Sequence, residues 1–146
     1  MKSIKYMENK NKRIKEKSDL MIEKIKQKYL NNRKEVKNWD KSNKANLEQL
    51  KNGVYAFYKD KDLLYIGMVS DAKTASLYAR MYANGNSKHC GKSWFEEVNK
   101  VFFYKMNTED KFDIQVLERI LIRELKPVHN DLEFDDNEIQ AVFNKM

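Results

Sequence analysis

Gly53-Val54-Tyr55-Ala56-Phe57-Tyr58-Lys59-Asp60-Lys61-Asp62-Leu63-Leu64-Tyr65-Ile66-Gly67-Met68-Val69 is the stretch that decides the fold. Its two runs, 54–58 and 63–69, are rich in β-branched and aromatic residues, which suit a pleated, half-buried surface. The polar tetrad 59–62 between them is short, so the two runs read as a β-hairpin.

Downstream, Ser70 or Asp71 can cap a helix that ends near Asn84 and Gly85. A loop over 85–92 follows, and Ser93 can cap a short helix reaching Val98. A third strand is predicted over 101–106 and a helix over 110–125, because Pro127 disfavours helix at Lys126. A last amphipathic helix over 136–145 presents Ile139, Val142 and Phe143. The order ββαβα predicts an α+β fold with a small three-stranded antiparallel sheet flanked by helices.

Upstream, residues 1–10 lack periodicity and read as frayed. Ile14, Met21, Ile25 and Tyr29 then form a narrow apolar stripe on a helix, which Asn31 and Asn32 can end. Val36, Trp39, Leu47 and Leu50 again fall at helical spacing, so the segment reads as one broken helix or two. The expected division is a basic helical extension over 1–50 and a folded domain over 51–146. The stripe is too thin for a core of its own, so it either docks on the following domain or pairs with a second copy of the chain.

The charge distribution separates the same two parts. Residues 1–52 hold 16 Lys/Arg against 7 Asp/Glu, a balance of +9, and the remainder holds 13 against 15, a balance of −2. A basic segment of this kind suits a polyanion, and a solvated lysine-rich helix has the same composition. Lys12, Arg13, Lys24, Lys28, Arg33 and Lys34 are the candidate nucleic-acid contacts. A hydrophobic fraction of 41% can build a core, and a charged fraction of 35% keeps it small. No apolar run approaches the roughly 18 to 20 residues needed to cross a bilayer. The lysines of the N-terminus precede no apolar stretch, unlike a secretory signal. Cys90 is the single cysteine, which excludes an intrachain disulfide and points to a reducing, cytoplasmic setting.

One residue conflicts with simple packing. On the 110–125 helix, Glu118 has Ile114, Leu121, Ile122 and Leu125 on its own side. A carboxylate there costs free energy unless a cation or hydrogen-bond donors meet it. A structural salt bridge, an edge position or a metal ion would each satisfy it.

Gly53-Val54-Tyr55, followed ten residues later by Tyr65-Ile66-Gly67, resembles the signature of the GIY-YIG nuclease family. Leu77-Tyr78-Ala79-Arg80 is similar to the family's arginine-bearing helix. Glu118, Leu121-Ile122, Lys126-Pro127 and Asn130 resemble its metal-binding segment in the same order. The likeness spans residues 53–130. It implies a three-stranded antiparallel sheet and phosphodiester hydrolysis in DNA with a single Mg²⁺ or Mn²⁺ held by Glu118, a cation that keeps most of its waters. Arg80 would offer a permanently charged fork to phosphate oxygens, and Tyr55 or Tyr65 would take the proton of the attacking water. With an ordinary pKa near 10, that phenol needs a nearby cation or a proton acceptor. Asn130 would tie the active-site elements together, while Gly53 and Gly67 would permit close approach of the backbone.

The chain departs from the family pattern at three places. Met68 stands where many members carry Lys, and Lys73 is the candidate substitute. The interval from Gly67 to Arg80 is long, which implies an insertion over 69–75. His89 matches the histidine that some members place after the arginine helix, whereas His129 stands where an aromatic is usual and reads as packing. His89 and Cys90 have no second ligand pair at zinc spacing. Two other readings are a nucleic-acid-binding module without catalysis and a nuclease directed at RNA. Loss of Arg80 or Glu118 would mark the first, and both are present. An interaction protein assembled through its N-terminal helices is a third.

Overall fold

The structure is a computed structural model and describes residues 4–82, 88–108, 110–130 and 144. The chain divides into two compact units, Met1–Arg33 and Lys34–Met146. The first is one helix, α1 (Ile4–Asn32), so the residues expected to fray are helical from Ile4 onward. Good helix formers fill the segment, and the first glycine is Gly53. On its surface Lys26 Nζ lies 2.9 Å from Glu23, and Gln27 Nε2 donates to the same carboxylate at 3.0 Å. Asn32 ends the helix by donating from Nδ2 to the Lys28 carbonyl at 2.7 Å. Residues 1–33 contain 11 Lys/Arg and 4 Asp/Glu, while 34–146 contain 18 of each. The whole excess of +7 therefore belongs to the first unit.

In the second unit the hairpin forms, with β2 (Gly53–Lys59) and β3 (Asp62–Val69) antiparallel. Its turn is tighter than the polar tetrad suggested, because Lys59 and Asp62 still pair. Asp60 takes a φ of 55°, which a short polar side chain tolerates. Asn99 holds the turn with two hydrogen bonds to Asp60, at 2.8 and 2.9 Å. The third predicted strand is β4 (Lys100–Lys105), on the other side of β2.

The three-stranded expectation is corrected to four strands. Lys34–Val36 forms β1 and pairs with β4, giving the antiparallel order β1-β4-β2-β3. Without it, β4 would leave a row of edge N–H and C=O groups unpaired. The helical spacing of Val36, Trp39, Leu47 and Leu50 has a different origin. Val36 sits opposite Val101 in the sheet, Trp39 packs edge-on to Phe95, and Leu47 is fully buried from α2 (Lys44–Glu48). These side chains reach one core from a strand, a connection and a short helix. Residues 34–50 thus belong to the second unit, and the boundary falls at 33/34 rather than 50/51.

Helix α3 (Leu77–Met81) starts later than expected, because Ser76 caps it by accepting from the Ala79 N–H at 3.0 Å. Between β3 and α3 the chain makes turns, and Leu77 N–H donates to the Leu50 carbonyl at 3.0 Å. Helix α3 also ends at Met81, short of the expected 84–85, and the expected helix over 136–145 lies outside the described residues except for Asn144. Two 3-10 turns, His89–Gly91 and Ser93–Glu97, precede β4. Helix α4 (Lys111–Leu125) matches its prediction, with Asp110 accepting from the Phe112 N–H at 2.9 Å and Lys126 left-handed after it.

Alternation along β2 sends Tyr55 and Phe57 to one face and Val54 and Ala56 to the other, and all four are buried. Leu77, Met81 and Phe95 belong to the core on the first face. Helix α4 packs on β2 and β3 and buries Ile114, Leu117, Leu121 and Ile122. Among the described residues no helix is long and apolar enough to cross a membrane.

Candidate active site

β3 is one of the two edge strands of the sheet, and the chain after α4 hydrogen-bonds along it. Val128 N–H donates to the Leu63 carbonyl at 3.1 Å and His129 N–H to the Leu64 carbonyl at 2.8 Å. Asn130 completes the contact with its side chain. Its Oδ1 accepts from the Ile66 N–H at 2.8 Å, and its Nδ2 donates to the Ile66 carbonyl at 2.7 Å. The amide thus ties the end of α4 to the strand between Tyr65 and Gly67. Asn130→Ala is expected to lower stability by about 1–3 kcal/mol, since it strips both partners from a partly buried peptide group. A melting temperature equal to wild type would show that water replaces the amide without cost.

A cleft of about 470 Å³ opens beside this contact, lined by Tyr65, Lys92, Trp94 and Glu118 together with Ile122 and the 128–130 segment. Glu118 is half-buried, and among the described residues its carboxylate has no hydrogen bond or ion pair. Burial raises its pKa above the ordinary carboxylate value, opposed by the positive charges of Arg80 and Arg119. Arg80, on α3, is exposed and makes no ion pair among the described residues. Its charge nevertheless acts on Tyr55, His89 and Glu118 together.

Behind the cleft lies an aromatic stack. Tyr65 packs on Trp94 with centroids 5.3 Å apart, and Trp94 packs nearly parallel on His129, also at 5.3 Å. Tyr65 also lies 4.6 Å from the His89 ring and 6.1 Å from Tyr55. The Tyr55 hydroxyl and His89 Nε2 are 2.7 Å apart in a buried hydrogen bond. Burial is the main reason that the Tyr55 phenol is held well above its usual pKa. The Tyr65 charge, the Glu118 charge and a hydrogen bond with Tyr65 act in the same direction, and Arg80 opposes them. Burial also pushes the His89 imidazole down to about 4, helped by the Lys92 and Arg80 charges. His89 is therefore neutral at pH 7. Its Nδ1 is buried without a hydrogen-bond partner among the described residues.

Gly67 sits opposite Tyr55 in the hairpin, and a Cβ there would stand 2.2 Å from the Tyr55 hydroxyl oxygen. The glycine gives the phenol its place across the strand. At Gly53 a Cβ would meet the Tyr104 carbonyl at 2.1 Å, so this position serves strand packing.

Tyr65, Glu118 and Asn130 line the cleft at the β3 edge, Tyr55 and His89 lie beside Tyr65, and Arg80 stands outside the lining and reaches the group through its charge. Lys73 is not among the residues that line this cleft and lines a second one instead. His129 packs, as expected. Lys12, Arg13, Lys24, Lys28 and Arg33 belong to the first unit, whereas Lys34 lies on β1. Lys92 and Trp94 escaped the sequence reading. Their only signal was a tryptophan in a short polar stretch after His89. No group of three His, Cys, Asp or Glu side chains comes together among the described residues. Comparison of the chain with protein-family models, with curated proteins and with solved structures finds no match.

Proposed function

We propose that this chain is a divalent-metal-dependent endonuclease that hydrolyses phosphodiester bonds in DNA. The observation that carries the reading is the half-buried Glu118 carboxylate, unpaired among the described residues, in a cleft that it shares with Tyr65. A buried anion without a partner is costly, and a hard cation is the partner that relieves it. Glu118 would hold a single Mg²⁺ or Mn²⁺ as the lone protein carboxylate. When bound, the cation supplies charge to the phosphate and to the departing 3′ oxygen.

The protein's own groups supply the rest. Arg80 presents its free fork to the non-bridging phosphate oxygens, where charge grows in the transition state. Tyr65 is the tyrosine that lines the cleft, so its hydroxyl meets the attacking water. Tyr55 lies too deep to ionise readily and acts as a relay between Tyr65 and His89. In the tautomer with the proton on Nδ1, the neutral imidazole presents Nε2 to accept the Tyr55 O–H. Trp94 and His129 brace the Tyr65 ring from the outer side and fix its hydroxyl. The exposed lysines and arginine of α1 are the proposed phosphate contacts, namely Lys12, Arg13, Lys24 and Lys28, with Arg33 and Lys34 beyond it.

The test uses the full chain with supercoiled plasmid and branched DNA. Cleavage in Mg²⁺ or Mn²⁺ that EDTA abolishes is expected. Tyr65→Phe and Tyr55→Phe should each slow it by at least about 10², as for loss of a positioned base. Because His89 titrates near 4, the rate should show no histidine limb around pH 6.5. Near-normal rates in both Phe variants would remove the tyrosines from the proton path. Absence of cleavage on any nucleic acid would overturn the nuclease reading.

A further inference from the structure

A second hollow, of about 270 Å³, lies between α2 and α3 and is lined by Lys44, Lys51, Lys73, Glu48 and Tyr78. Lys44 begins α2 and Lys51 follows it, and the fold brings Lys73 to the same hollow. Lys44 Nζ stands 5.4 Å from the centroid of the Tyr78 ring and 3.6 Å from the Glu48 carboxylate. Lys51 reaches across to donate from Nζ to the Lys73 carbonyl at 3.4 Å, which brings its ammonium beside residue 73. Glu48 is the one acidic residue in the lining and is engaged by Lys44. Three ammonium groups and one carboxylate border the hollow, a local excess of positive charge that suits an anion. Lysines act as compact point charges, which suits them to a phosphate without fixing a donor fork against a base edge.

Helix α3 borders this hollow and also carries Arg80. Tyr78 and Ala79 line the hollow, and the next residue, Arg80, acts electrostatically on Glu118 and Tyr55. A chain of phosphodiesters lying against α3 would meet both. We infer that Lys44, Lys51 and Lys73 form a second phosphate subsite, which grips a backbone phosphodiester of the nucleic acid away from the scissile bond. The subsite is indifferent to sequence, and it deepens the nuclease reading on which it rests.

The experiment measures binding without cleavage. Full-length Glu118→Ala protein is titrated with a fluorescent duplex oligonucleotide over a salt series, alone and with Lys44→Gln, Lys51→Gln and Lys73→Gln added. The slope of log affinity against log salt should flatten by about 0.9 for each lost phosphate contact, hence by about 2 to 3 in the triple variant. The loss should be the same for two unrelated sequences. DNA and RNA duplexes of one sequence should lose equally if the phosphate alone is read, and a loss confined to one of them would overturn a backbone-only subsite. Lys73→Gln alone, at an exposed turn position, should flatten the slope by one contact even if the triple variant misfolds. An unchanged slope in Lys73→Gln and in a folded triple variant, or absence of salt-dependent binding by the parent, overturns the subsite. Wild-type cleavage with unchanged slopes would remove the subsite and keep the nuclease. Flattened slopes without any wild-type cleavage would do the reverse.

Discussion

Glu118→Ala is expected to leave a folded chain that no longer cleaves DNA in either Mg²⁺ or Mn²⁺. On the proposed reading this carboxylate is the only protein ligand of the cation, so no neighbouring acid can take over. The fold should not suffer. Glu118 makes no hydrogen bond or ion pair among the described residues, and it sits on the apolar face of α4, where alanine leaves no charge to desolvate. Its raised pKa fixes the sign of the effect on stability. A carboxyl whose folded pKa lies above its unfolded one stabilises the fold at low pH, and that contribution is lost as pH rises through the folded value. At pH 7 the ionised group therefore costs stability. Glu118→Gln should melt slightly higher than wild type there, and the gain should vanish near pH 4, about the ordinary carboxylate value. Full activity of the alanine variant would end the assignment of Glu118 as the cation's ligand. A large fall in melting temperature would show instead that the carboxylate is a structural group.

Arg80→Ala should lower the single-turnover rate by at least about 10², with a much smaller change in DNA affinity. The guanidinium is exposed and has no ion-pair partner among the described residues, so its fork is free for a phosphate. An interaction that strengthens as charge develops on the phosphate acts on the rate rather than on binding. Arg80→Lys should restore little, because a single ammonium cannot span two oxygens as the fork does. Folding is not at risk, since the buried side of α3 is formed by Leu77 and Met81. A pure affinity defect at unchanged turnover would make Arg80 a docking residue, comparable to the lysines across α3.

The hairpin, β4 and α4 were legible in the sequence because local signals set each of them. Runs of β-branched and aromatic residues, a polar turn, the Asp110 cap and Pro127 act within a few residues of their effect. The oddity of Glu118 was legible for the same reason, since helical periodicity alone puts it on an apolar face. The edge strand was not. Lys34-Glu35-Val36 has no strand signature of its own, and it extends only because β4 offers an unpaired edge far along the chain. Helical spacing misread 36–50, because four apolar residues can meet one core from irregular structure as well as from a helix face. The start of α3 was misplaced because Ser70 and Ser76 are both chemically competent caps. Burial of Ser76 and the Leu77–Leu50 hydrogen bond select the second.

The sequence by itself determined which chemistry-bearing side chains exist, and their order along the chain. Only the tertiary structure decided how deep each one lies, and depth sets what each can do. It buries Tyr55 against Gly67 and His89 and leaves Tyr65 at the cleft. It strips His89 of water until its pKa falls to about 4, and it sends Lys73 to join Lys44 and Lys51 across α3. Desolvation and proximity depend on residues distant in sequence, and no local pattern encodes either of them.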